Sequence, residues 1–195
     1  MSGGLTGTWA EREARRIGKA RSMLQPGLEG AGGTWADLGC GDGIFTAALY
    51  GLLQPGSQIY AVDNNRRALE ALSRNFAESF PRAALQPALA DFTRPLTLPP
   101  LDGLLMANSL HFVREKKPVL AGLVKLLKPG GRLMVVEYNT RRGNAAVPYP
   151  LEEWGFLALA EEAGLRQAGI VARIPSTFLG EMYAGMALST AVSES

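Results

Sequence analysis

Three alternate glycines, Gly39, Gly41 and Gly43, stand in the segment Asp37-Leu38-Gly39-Cys40-Gly41-Asp42-Gly43-Ile44, between an apolar run and a stretch of helix formers. Residues without side chains turn through positive φ and let a ligand lie against the backbone, while the free N–H groups of a following helix face the same crevice. This pattern implies a nucleotide-like ligand. The dinucleotide fingerprint G-x-G-x-x-G, counted from Gly39, asks for a glycine where Ile44 stands, which counts against a dinucleotide. A carboxylate at Asp37 repels a pyrophosphate and attracts an ammonium or sulfonium charge, so the ligand is expected to be partly cationic. Twenty residues beyond Gly43, the run Ile59-Tyr60-Ala61-Val62 ends in Asp63, where an acidic side chain can accept hydrogen bonds from both hydroxyls of a ribose.

Three further groups have side chains suited to chemistry. His111, the only histidine, follows Asn108-Ser109-Leu110. An imidazole takes a proton from a hydroxyl near neutral pH, which makes His111 a candidate general base; loop anchoring is the plainer role. Cys40 lies beside an expected helix N-terminus, and a Cys–His hydrolase using Cys40 and His111 is a rival reaction class, opposed by the carboxylate of Asp42 nearby. Arg141-Arg142, just past Glu137-Tyr138-Asn139, can clamp a substrate carboxylate or phosphate, although exposed arginine pairs are usually only solvated charge. No metal is expected at the site.

The elements that position these residues alternate. A leading helix is expected over Glu11–Leu24, closed by Pro26-Gly27, then strand Thr34–Leu38, helix Ile44–Leu53, strand Gln58–Val62, helix Asn64–Phe80 and a weaker strand Ala84–Ala90. The apolar run Leu101–Ala107 reads as a strand, followed by helix Glu115–Leu127, a break at Lys128-Pro129-Gly130-Gly131 and strand Leu133–Val136. Leu151–Ala163 reads as helix, Arg166–Ile174 as strand, and Thr177–Leu188 as a last strand weakened by Gly180 and Gly185. Helix-sized connections between strands imply parallel crossovers, hence an α/β fold whose ligand sits beyond the C-terminal strand ends.

The chain's 195 residues suit one domain: residues 1–33 form an N-terminal helix and linker belonging to it, and residues 34–195 the ligand-binding body. Hydrophobic residues at 47% argue against disorder, and a net charge of +2 with no block of about five like charges makes nucleic acid an unlikely partner. The opening Met-Ser-Gly-Gly-Leu-Thr-Gly shows no secretory signal, one cysteine makes no internal disulfide, and no stretch is long and apolar enough to span a membrane, so a cytoplasmic address is expected.

Taken together, Asp37, the Gly39-x-Gly41-x-Gly43 loop and Asp63 resemble the signature of the class I S-adenosylmethionine-dependent methyltransferases. Asp91-Phe92 resembles that family's adenine-contacting pair, and Leu126-Leu127-Lys128-Pro129-Gly130-Gly131-Arg132-Leu133 its turn into the fifth strand. The resemblance spans residues 34–137. It implies a three-layer, doubly wound, mostly parallel seven-stranded sheet with an antiparallel last strand. It also implies that Asp37, Gly39, Cys40, Gly41 and Gly43 hold the methionine part of S-adenosylmethionine. On the same basis Asp63 binds the ribose, Asn64 lies beside the adenine, Asp91 and Phe92 contact the ring, and Asn108 lines the methionine side. Asn108-Ser109-Leu110-His111 stands where amino-directed nucleic-acid enzymes of the family carry Asn/Asp-Pro-Pro-Tyr/Phe, which disfavours base amines. A small-molecule acceptor is expected, with a protein acceptor as the second choice and the oligomeric state open. The alternative within this resemblance is a non-catalytic module that binds S-adenosylmethionine as a sensor or scaffold.

Overall fold

The structure, a computed structural model, describes residues 7–190; the chain's opening six residues and its last five, both part of the sequence reading above, lie outside the described residues. The elements run α1 (Trp9–Arg12), α2 (Ala14–Leu24), β1 (Thr34–Leu38), α3 (Ile44–Tyr50), β2 (Gln58–Asp63), α4 (Arg66–Ser79) and β3 (Ala84–Leu89). They continue with β4 (Leu101–Ala107), α5 (Lys116–Leu123), β5 (Leu127–Tyr138), α6 (Glu153–Glu162), β6 (Arg166–Ser176) and β7 (Gly180–Leu188). Among the described residues no helix is long and apolar enough to cross a membrane.

One sheet of order β3-β2-β1-β4-β5-β7-β6 holds all seven strands. The first five are parallel, and β7 is antiparallel to both β5 and β6. Strand order reverses between β1 and β4, which is where open α/β sheets leave a crevice at their C-terminal ends. Alternation along the strands divides the core in two. Trp35, Leu105 and Val136 face α2, α3 and α4, whereas Ala36, Leu38, Leu104 and Val135 face α5 and α6. The result is the expected three-layer, doubly wound arrangement with its antiparallel last strand.

Element boundaries depart from the sequence reading where local chemistry overrides periodicity. The leading helix starts earlier and is broken at Glu13: Thr8 caps α1 by accepting from the Glu11 N–H, and the Glu11 carboxylate accepts from the Thr8 N–H. The helix after β1 ends at Tyr50, and α4 starts late because the Asn65 side chain caps it by accepting from the N–H groups of Arg67 and Ala68. The segment Lys128–Gly131 is a kink inside a longer β5, stitched to the end of β7 where the Ser189 N–H donates to Gly131. Pro87, which has no N–H to give, is tolerated because β3 is an edge strand. Gly185 leaves room for the Phe156 ring, so this glycine serves packing inside β7.

Close approach also fixes Gly103: any Cβ there meets the Trp35 ring, whereas Gly122 on α5 has nothing within 4 Å. Gly103→Ala is therefore expected to destabilise the fold by about 1–3 kcal/mol through overpacking. Gly122→Ala should stabilise it by about 0.5–1 kcal/mol by restricting the unfolded chain. Urea unfolding of the two variants against the parent checks both signs.

Candidate active site

The β1–α3 loop is the centre of the site. Gly39, Gly41 and Gly43 have φ of +79°, +52° and +90°, conformations that other residues adopt only under strain. The loop is stapled to the end of β2: the N–H groups of Gly39 and Cys40 donate to the Val62 carbonyl, and the Gly41 N–H donates to Asp63 Oδ2 at 2.9 Å. Asp63 Oδ1 accepts from the Asn65 N–H at 2.8 Å. Each carboxylate oxygen has two lone-pair sites, so Asp63 keeps acceptor capacity for a ligand while it holds the loop.

Alternation along β1 turns Asp37 toward α3, where Thr46 Oγ1 donates to its Oδ2 at 2.7 Å. The residue is buried, and its Oδ1 has no hydrogen-bond partner. Burial pushes its pKa up to about 7; the Thr46 hydroxyl opposes the shift and Asp63 adds to it. An orphaned oxygen on a buried carboxylate is costly unless a cation or donor completes it.

Two cavities meet at this loop, both lined by Gly39, Gly41 and Asn108. One, of about 340 Å³, also takes Asp37, Cys40, Tyr138 and residues of α2. The other, of about 590 Å³, takes Asp63, Asn64, Asp91, Phe92 and Ser109. A Cβ on Gly41 would meet no protein atom within 4 Å, so its bare backbone opens on this space. A Cβ on Gly39 would lie 2.5 Å from that of Ser109, so the β4 end packs directly on the loop. Asn108 sits at φ +53°, with Oδ1 buried and unpartnered, as is Ser109 Oγ.

Most residues expected at the site thus line one of the two cavities: Asp37, Gly39, Cys40, Gly41, Asp63, Asn64, Asp91, Phe92 and Asn108. Asp91 Oδ1 accepts from both the N–H and the hydroxyl of Thr93, which holds its pKa below the usual carboxylate range. Others fall elsewhere. Gly43 lines neither cavity; it caps α3, and a Cβ there would press on Leu72. His111 also lines neither cavity. Its Nδ1 lies 2.6 Å from Glu137 Oε2 and its backbone N–H donates to Glu137 Oε1, both residues being buried, so the pair clasps the end of β4 to β5. Arg141 donates to Glu152 at 2.6 Å, and neither Arg141 nor Arg142 lines either of these two cavities. Burial and the carboxylates of Asp37 and Asp63 push the Cys40 thiol up, out of the range in which a thiolate nucleophile forms near neutral pH, which removes the support for a Cys–His hydrolase.

Sequence reasoning missed Arg16, Lys19 and Met23 of α2, and Tyr138, Ile174 and Met182, all of which line the smaller cavity. The basic i, i+3 pair Arg16 and Lys19 was a visible signal for one helix face; the other three depend on sheet register.

A seven-stranded sheet of this order, with a glycine loop and two acidic strand ends at its switch point, defines the class I methyltransferase fold. The chain belongs to the class I S-adenosylmethionine-dependent methyltransferases: the family model described as "Methyltransferase domain" matches residues 36–133. The chain is 28% identical over 124 residues to a ubiquinone biosynthesis O-methyltransferase of Caulobacter vibrioides, covering 64% of this chain and 46% of that protein. It is 28% identical over 166 residues to a ubiquinone/menaquinone biosynthesis C-methyltransferase of Ectopseudomonas mendocina, covering 82% of this chain and 59% of that protein. The chain therefore spans less than two thirds of the length of either. Among solved structures, a SAM dependent methyltransferase from Aquifex aeolicus superposes with a TM-score of 0.69 at 19% identity, covering 90% of this chain and 92% of that one. The N-methyltransferase NodS from Bradyrhizobium japonicum does so at 0.65 and 19%, covering 92% and 96%.

The raised pKa of Asp37 has a stability consequence. A folded state that holds its proton up to about pH 7 loses stability relative to the unfolded chain as pH rises from about 4 to about 7, and the loss is complete above that. Asp37→Asn keeps an acceptor for Thr46 and carries no charge. At pH 8 it should be more stable than the parent by about 2–4 kcal/mol, and at pH 4 the difference should vanish. Denaturant unfolding at the two pH values measures this.

Proposed function

We propose that the chain binds S-adenosylmethionine across the two joined cavities and catalyses transfer of its methyl group to a small-molecule nucleophile by direct displacement. The observation that carries this reading is the orphaned Asp37 Oδ1 at the wall of a glycine-lined cavity. The residues fit the cofactor: Asp37 takes the ammonium of the methionine part, and the bare backbone of Gly39 and Gly41 admits the chain linking methionine to ribose. Asp63 accepts from the ribose hydroxyls, and Asn64, Asp91 and Phe92 border the adenine. Asn108, shared by both cavities, offers its unpartnered oxygen where they meet. When bound, S-adenosylmethionine supplies a methyl group already activated on a sulfonium.

What the protein adds is orientation and exclusion of water. Asp37 is held by Thr46 and turned inward from β1. Asp63 fixes the loop, so that ligand binding and loop geometry depend on one carboxylate. The His111–Glu137 pair acts through position, holding the turn that carries Asn108 and Ser109 against the end of β5. Family membership supports an enzyme over a passive binding module. A small-molecule acceptor is favoured by the size of the smaller cavity, about 340 Å³, and by the biosynthetic methyltransferases to which the chain is similar.

Calorimetric titration with S-adenosylhomocysteine, the demethylated product, tests the assignment. Asp63→Ala is expected to weaken binding by about 1–3 kcal/mol. A variant that binds as tightly as the parent would remove the ribose assignment.

A further inference from the structure

The three side chains Tyr138, Met182 and Ile174 form a row across the sheet: Tyr138 of β5 pairs in register with Met182 of β7, which pairs with Ile174 of β6. Residues paired across strands share a face, and all three line the smaller cavity. At the usual strand spacing the row is roughly 10 Å across, the width of one ring with a short substituent. The neighbouring row, Glu137–Tyr183–Arg173, lies on the opposite face, where Glu137 is bound to His111 and Tyr183 donates to the Leu151 carbonyl. Met23 and Ala20 of α2 line the same cavity, and the Phe178 ring stands edge-on to Tyr138 at 5.6 Å. The row itself carries no charge. Burial, with Glu137 behind it, raises the Tyr138 pKa above its ordinary value, so its hydroxyl stays a neutral donor, with no hydrogen-bond partner among the described residues.

Charge enters this cavity from α2. Arg16 is already paired with Glu13 at 3.1 Å and Asp42 at 3.2 Å. Lys19 makes no ion pair among the described residues; its only hydrogen bond is to the Pro175 carbonyl at 3.2 Å, one residue past Ile174 on β6. An ammonium has three donors, so two remain for a ligand. The cavity is thus polarised by a cation over β6 that has no carboxylate partner among the described residues.

Building on the cofactor reading above, we propose that the methyl acceptor is a small apolar molecule bearing an anionic group, its body on the Tyr138–Met182–Ile174 row and its anion on Lys19. With Asp37 paired to the cofactor's ammonium, the attraction of Lys19 for that anion sets the acceptor's direction in the cavity. Arg16, already neutralised, is not the anchor.

The test uses the full chain saturated with S-adenosylhomocysteine, titrated by NMR with 3-phenylpropanoate and with its neutral counterpart 3-phenylpropanamide. The parent is expected to bind the carboxylate roughly fivefold more tightly than the amide, and Lys19→Met and Lys19→Gln to lose that preference. Arg16→Met should keep it. Binding of S-adenosylhomocysteine by each variant reports that its cavity is folded. Equal affinities in the parent, no binding of either compound, or a preference that survives both Lys19 variants overturns the proposal. A parent that fails to bind S-adenosylhomocysteine overturns the cofactor reading and this proposal with it; a parent that binds it without carboxylate preference overturns this proposal alone.

Discussion

A carboxylate buried at the end of the first strand, with one oxygen satisfied by Thr46 and the other by nothing, is the constraint around which this molecule is arranged. Burying an ionised group without a partner costs several kcal/mol, and a protein escapes that cost by holding a proton or by supplying a cation. Here Asp37 does the first in the free chain, with its pKa raised to about 7, and on the proposed reading does the second when a ligand ammonium arrives. The neighbouring glycines are the steric complement of that arrangement, since a side chain on Gly41 would project into the open space that the two cavities share.

The rest of the fold serves this position. Asp63 reaches back from β2 to hold Gly41, so the loop cannot relax over Asp37 without breaking a charge-assisted hydrogen bond. The His111–Glu137 pair clasps the ends of β4 and β5, keeping Asn108 and Ser109 against the loop. From the opposite side α2 covers the cavity, tied to the loop through Arg16 and Asp42 and to β6 through Lys19 and Pro175. Strand order brings these contributions to one edge, since β1 and β4 are neighbours across the switch point.

Much of this was legible in the sequence, for physical reasons that differ by element. Strands β1 and β4 begin and end where expected because each is a mostly buried run, interrupted only by the half-buried Thr34 and Asp102, and is closed by Gly39 and Asn108 at positive φ. The helix breaks were misjudged where side chains compete for backbone groups, at Thr8 and at Asn65. The glycine loop and its acidic neighbours were readable because their chemistry is local. For His111 and Arg141 the residue types left two roles open, because a side chain's type does not reveal its partner; in the structure Glu137 and Glu152 are those partners. The row of Tyr138, Met182 and Ile174 was invisible, since only the pairing of β5, β7 and β6 makes neighbours of residues so far apart in sequence.

The central claim is that the bound ligand replaces a proton on Asp37, and proton release on binding measures it directly. Calorimetry of S-adenosylhomocysteine binding at pH 6 in two buffers of different ionisation enthalpy should show close to one proton released per ligand bound by the parent, falling toward zero at pH 8. With Asp37→Asn no such release should be seen at either pH. Binding by the parent without proton release at pH 6, or an equal release from the variant, would contradict the account.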